Sequence, residues 1–310
     1  MERDLGTMVH GGGVSKSVEA TVNDRHGRTM LAIKEITAIV EDCRSNTLGG
    51  LKVGLDIWES AYIPSLLNNS STWMDKSEDT MNKLEEMQYT LYRYLFKVPH
   101  TTPKAALLWE GGGWKIKYRI MMNKLILVNH IMSLDENSLA RQVLIAQVTQ
   151  NLPGLKNEAE DFINDLGLPN CFKRSIPKNS WKKQVKKAVG RKNEEELRNK
   201  MESFKKVRHD ISNEKFECKD YIFNLPSSQA QTMFKHKYSM TQYVKMNYKG
   251  NPEYERTLWK CKCNNQDSET HLLWCTEYEN LRKDIDLDND SDLCRYLQTI
   301  FKSRADEANQ

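Results

Sequence analysis

Four residues near the C-terminal end of the chain have the types and the spacing to hold a metal ion. In LWKCKCNNQDSETHLLWC, residues 258–275, Cys261 and Cys263 stand two apart, and His271 and Cys275 stand four apart. With LWKCKC read as a strand, alternation puts Trp259, Cys261 and Cys263 on one side and Lys260 and Lys262 on the other. With THLLWC read as a helix, His271 and Cys275 share a face about a turn apart. Three thiols and an imidazole form a closed tetrahedral set, the donor pattern of a structural zinc site rather than of a catalytic one that keeps an open position. Lys260 and Lys262 would favour the thiolate form and face outward toward phosphate. The same spacing also suits two reduced core cysteines beside a surface histidine.

A second feature could do chemistry through charge. From Lys173 to His209 the chain carries fourteen Lys or Arg against four Glu, a local balance of +10 inside a chain whose net charge is only +4. Such a segment can neutralise phosphates and release their counterions, which gives affinity for nucleic acid without sequence preference. Lys182, Lys183, Lys186, Lys187, Arg191 and Lys192 are the candidate phosphate contacts. A solvated charged helix is the other reading, and Trp181, Val185 and Val189 at helical spacing make an amphipathic helix the expectation either way. Further on, SSQAQTMFKHKYSMTQYVKMNY (residues 227–248) interleaves Lys235, Lys237 and Lys245 with Tyr238 and Tyr243. Cations among aromatic rings suit stacking on bases, and they suit an ordinary amphipathic helix equally.

The elements that would position these residues are helical. Val18, Val22, Met30, Ile33, Ile36 and Val40 predict a long or broken helix over about 15–43. Leu55, Trp58, Tyr62 and Leu66 predict a second, kinked or ended by Pro64. A third is expected over about 77–97, with Ser77 as N-cap and Leu84, Met87, Leu91 and Leu95 as its buried stripe. Pro99 and Pro103 end it, and WEGGGW reads as a turn-rich loop. Helices follow at about 116–133, 136–150 and 155–166, the last stopped by Gly167. The fold class expected is mainly α: a helical bundle, a basic linker helix and a small zinc-bearing α/β module.

Composition narrows the function classes. At 310 residues, with 39% hydrophobic and 28% charged residues, the chain can bury one large core or two ordinary ones. Apolar runs such as LILV at 125–128 fall far short of the roughly 20 residues of a membrane span. MERDLGTMVHGGGVSK lacks the apolar stretch of a secretory leader, so an intracellular, reducing compartment is expected, nuclear or cytoplasmic. The seven cysteines are then thiols or ligands; Cys43, Cys171, Cys218 and Cys294, standing apart, read as small buried hydrophobes. The acidic run DIDLDNDSD lacks the Gly and terminal Glu of a calcium loop, and no P-loop, Gly-x-Ser-x-Gly or His-Glu-x-x-His motif occurs.

Several stretches taken together resemble one family. RDLGTMVHGGG, LDIWESAYIPSLLNNSSTW, LYRYLFKVPHTTPKAALLWEGGGW and the terminal WKCKC…ETHLLWCTEYENLR, in that order, are similar to the C-terminal region of the reverse transcriptases of LINE-like, non-LTR retrotransposons. The resemblance implies a remnant palm strand over 1–14, with Leu5-Gly6 left of a Tyr-Leu-Gly signature and Asp4 where the tyrosine is expected. It implies a helical thumb and connector over 15–170, basic linker helices over 171–212, and a nucleic-acid-binding domain over 213–310 with a knuckle at 258–283. Cys261, Cys263, His271 and Cys275 would be its zinc ligands, and Tyr278 and Arg282 would lie in the trailing segment. Polymerases of that family need carboxylates in a Tyr-x-Asp-Asp turn to hold two metal ions, and this chain has no Asp-Asp pair. The expectation is therefore a non-catalytic module that binds RNA or DNA, with the remaining polymerase domains as a partner in trans. Its alternatives are a part of an active RNA-directed DNA polymerase and a host-adopted protein-interaction module.

Overall fold

The computed structural model describes residues 2–4, 7–9, 11, 13–42, 47–74, 77–173, 176–204, 214–238, 261, 263, 265, 269–283 and 285–308. Over these the chain is mainly helical. The two strands, β1 (Glu2–Asp4) and β2 (Thr7–Val9), pair antiparallel with Glu2 opposite Val9. This hairpin lies against α1 (Val14–Asp42), where the Met8 amide donates to Thr21 Oγ1 at 2.9 Å.

Three apolar clusters organise the helices. The main one joins α1, α2 (Gly50–Ile57), α4 (Glu78–Phe96) and α5 (Lys104–Gly111), with Trp58, Tyr92, Phe96 and Trp109 fully buried inside it. Ser77 caps α4 as its sequence predicts, its Oγ accepting from the Thr80 amide, and Leu84, Met87, Leu91 and Leu95 form the buried stripe. Pro64 does not end the second helix. Between α2 and α3 (Ile63–Leu66) one turn, Trp58–Tyr62, widens so that the Ile63 amide donates to the Trp58 carbonyl. A proline ring clashes with the carbonyl four residues back, and a wider turn just before it relieves that clash without breaking the rod.

WEGGGW is only partly a loop: Trp109, Glu110 and Gly111 belong to α5, which Gly112 then closes at φ 63°. A Cβ on Gly112 would sit 2.5 Å from the backbone nitrogen of Cys218, so only glycine lets these two chain segments meet.

The second cluster is built by α6 (Ile116–Met132), α7 (Leu139–Thr149), α8 (Leu155–Leu166) and the N-terminal part of α9 (Lys178–Glu202). Gly167 ends α8 at φ 60°. Within the segment read as basic linker helices, residues 171–212, the helix α9 is anchored. Trp181, Val185 and Val189 are buried in the second cluster, and the Trp181 indole donates to the Leu125 carbonyl at 2.8 Å. Asn129 clamps the approach to α9 by pairing with both backbone groups of Ile176 at 2.8 Å. Towards its far end Leu197 and Met201 enter the main cluster instead, beside α10 (Asp220–Asn224) and α11 (Ser227–Lys237). The third cluster, around Leu272, Tyr296, Leu297 and Ile300, joins α12 (Glu269–Trp274) to α14 (Asp290–Ala308), with α13 (Glu279–Arg282) between them in sequence.

Candidate metal centre and cationic helix face

The third cluster fixes the candidate metal centre. Leu272 is buried against Tyr296, whose hydroxyl donates to the Leu272 carbonyl at 2.6 Å and accepts from Arg282 Nη1 at 3.1 Å. That holds α12, which carries His271 and leads directly into Cys275. On the other side the Cys261 amide donates to the Asn265 carbonyl at 3.0 Å, closing a tight turn. Cys263 lies in that turn, and residues 258–260 and 262 of the expected strand lie outside the described residues.

The ligand atoms of Cys261, Cys263, His271 and Cys275 all lie within 4.8 Å of one another. Cys261 Sγ and Cys275 Sγ are 3.4 Å apart, and Cys263 Sγ is 3.3 Å from His271 Nε2. A tetrahedral ion with bonds of about 2.3 Å to sulfur and 2.0–2.1 Å to nitrogen needs ligand separations of about 3.5–3.8 Å. The closest pairs already stand near that spacing, and the widest separation would have to shorten by about 1 Å around an ion of zinc's size. The set does not fit a disulfide, whose sulfurs bond at about 2.05 Å. Cys261 and Cys275 are buried while Cys263 and His271 are half-buried. Burial, together with the neighbouring Cys261 and Cys263 thiols, pushes the Cys275 thiol up to about 12. The Asn265 backbone hydrogen bond lowers Cys263. Metal binding displaces thiol protons, so this donor set could hold a metal ion such as zinc.

Sequence reasoning missed Trp274. It sits between two ligands yet is 70% exposed, whereas Leu272 on the same short helix is buried. Its signal was there: an aromatic held by flanking metal ligands can be presented to solvent without needing a core of its own.

The other candidate residues divide clearly. Lys182, Lys183, Lys186, Lys187 and Arg191 are exposed on α9, and none has a carboxylate partner among the described residues. Lys192 is ion-paired with Asp165 at 2.8 Å, which raises its pKa. Lys237 is bound to Glu110 at 2.9 Å and Glu214 at 3.2 Å. Tyr238 belongs to the core: its hydroxyl donates to Glu110 Oε1 at 2.5 Å and its ring packs 4.8 Å from that of Phe234. Lys235 is half-buried, and burial lowers its pKa. Tyr243, Lys245, Lys260 and Lys262 lie outside the described residues. Of the buried free thiols, Cys171 and Cys294 are as the sequence suggests, Cys218 is half-buried, and Cys43 lies outside the described residues.

No described helix is long and apolar enough to cross a membrane. No protein-family model, curated protein or solved structure matches the chain.

Proposed function

We propose that the chain is a non-catalytic module that grips nucleic acid, equivalent to the thumb, connector and zinc knuckle of a non-LTR retrotransposon reverse transcriptase. The observation that carries this reading is the charge on α9. Its first fifteen residues hold seven Lys or Arg and no acid, at the positive end of the helix dipole. Lys182 and Lys186, Lys183 and Lys187, and Lys187 and Arg191 are like-charge pairs four apart, a spacing that opposes helix formation. Local energetics disfavour this pattern, and an external polyanion reverses every one of those penalties at once. The cluster of Cys261, Cys263, His271 and Cys275 would hold a structural zinc ion, and Trp274 beside it offers a flat apolar face for a base. The chain's own residues then position a strand and supply no polymerase carboxylates.

The test is fluorescence anisotropy of the recombinant chain on labelled single-stranded RNA, single-stranded DNA and a hybrid duplex across a salt series, with zinc and with chelator. Binding that weakens steeply with salt and drops on chelation supports the reading, whereas flat, weak binding under every condition refutes it. A protein-docking role is favoured by one separate observation, the apolar side chains exposed on and just after α7, Leu139, Val143 and Leu152. Folded, zinc-loaded protein without nucleic-acid affinity would favour that second reading.

A further inference from the structure

The helix α7 presents an uncharged row to solvent. Towards the second cluster it gives only Leu144, fully buried, and Val148, partly so. Away from that side Leu139 is 75% and Val143 49% exposed, and Ala146 and Gln150 continue their row. These four stand at intervals of four, three and four residues, the spacing of the seam that one helix offers another in a coiled coil. The one ionisable residue of α7, Arg141, is held back from the row: its guanidinium donates to the Leu134 carbonyl at 2.7 Å and pairs with Glu136 at 3.5 Å. Residues 142–155 carry no ionisable side chain at all, in a chain of which 28% is charged.

Nucleic acid does not match this row, which offers a phosphate no cation. A second copy of the same helix does. Bulky side chains, Leu139 and Val143, lead the row, and Ala146 and Gln150 follow. When two such helices pair antiparallel about a twofold axis, Val143 of each meets the small Ala146 of the other, and Leu139 of each lies along the methylene stem of the other's Gln150. The alanines let the helix axes approach closely. The Gln150 amide carries donor and acceptor together, so it is satisfied at the rim of such a contact. No like charges face one another, and the two helix dipoles run in opposite directions. Size and charge are therefore complementary in the row itself. An eleven-residue helix is only about 16 Å long, so the contact falls short of the roughly 800 Å² per partner of a stable complex and belongs to the weak, reversible class.

We propose that α7 is a self-association face, through which two copies of the chain pair weakly in antiparallel register by Leu139, Val143, Ala146 and Gln150. The proposal gives the exposed apolar side chains of α7 a partner and is independent of the nucleic-acid reading. Its test is sedimentation equilibrium of the full chain from micromolar to millimolar concentration, beside Val143→Lys, Val143→Glu and an equimolar mixture of the two. In this register the two copies of Val143 stand beside the axis, next to one another, so like charges there repel and opposite charges attract. The parent should show a monomer–dimer equilibrium. Each charged variant alone should weaken it by at least about tenfold, and the mixture should restore association as a heterodimer. Half-exposed Val143 leaves either charge in solvent in the single chain, and circular dichroism and melting curves check that the variants fold. Leu139→Arg, at a still more exposed position, replaces one that does not and should weaken association to the same degree.

Three outcomes overturn the proposal: a parent that stays monomeric at the highest concentration, folded variants that associate as the parent does, or a mixture that associates no more tightly than its components. Anisotropy on labelled strands decides the other reading separately. A monomeric parent that binds strands removes only the self-association, and a dimer without nucleic-acid affinity leaves it standing.

Discussion

Replacing Lys182, Lys183, Lys186 and Lys187 together by alanine removes four of the six exposed cations of α9 that lack a carboxylate partner among the described residues and leaves its packed face intact. Lys183, Lys187 and Arg191 form one row along the helix, about 12 Å long at a rise of about 1.5 Å per residue, and Lys182 and Lys186 form a second row beside it. A strand laid on the first row meets two of the replaced lysines, and one lying between the rows meets all four. Each lost phosphate contact on a single strand reduces the slope of log affinity against log salt by about 0.7. The slope should therefore fall by about 1.4–2.8, and affinity at 0.1 M salt by one and a half to three decades, roughly. Because the side chains are exposed, stability should change by less than about 0.5 kcal/mol, and alanine's helix propensity works in the variant's favour. Anisotropy on a labelled single strand from 50 to 300 mM salt measures both quantities, with circular dichroism as the folding control. A folded variant that keeps the parent's slope and affinity refutes the assignment of this face.

Three further outcomes follow from the geometry. Cys275→Ser should reduce bound zinc from near one per chain to near none, and chelation should destabilise the parent protein far more than the variant; metal analysis and melting curves decide this. Trp274→Ala should leave zinc content unchanged and weaken single-strand binding by about 1–3 kcal/mol, with Trp274→Phe largely retaining it, while equal affinities would remove Trp274 from the binding surface. The third concerns acid. Burial raises the Glu214 carboxyl, but hydrogen bonds from Lys219 and Trp109 and the charge of Lys237 outweigh it and hold the group down to about 2. A depressed carboxylate contributes stability that is complete above its unfolded value of about 4.3 and lost as pH falls from there through about 2. Urea unfolding should therefore show Glu214→Gln losing stability near pH 6 and approaching the parent near pH 2.5; a constant difference across that window would count against the ion-pair explanation.

The helices that the sequence made legible are those with one apolar stripe and a punctuating end. In α4 both are present, Ser77 at the start and Leu84, Met87, Leu91 and Leu95 at threes and fours, and α8 ends at Gly167 as its spacing predicts. The helix α5 was hidden because Ala105 through Glu110 are all buried, and a helix covered on every side shows no stripe. Of the two outcomes expected at Pro64, a kink or an end, the helix does not end there, and the sequence does not display the wider turn that accommodates the ring. The metal centre was legible at the level of residue types, as four ligands in fifteen positions. Tyr238 was not, because an aromatic at helical spacing reads the same whether it faces a core or a base. Its role was settled by Glu110, 128 positions away in the chain.

The helix α9 is seated in two cores at once, with Trp181, Val185 and Val189 in one and Leu197 and Met201 in the other. A strand drawn across its outer face would therefore load a beam supported at both ends rather than a hinged arm. Tension along the strand would be shared between the two supports, and tilting the beam would require both to yield together. A polymer could be hauled past such a part while its row of charges kept a constant heading.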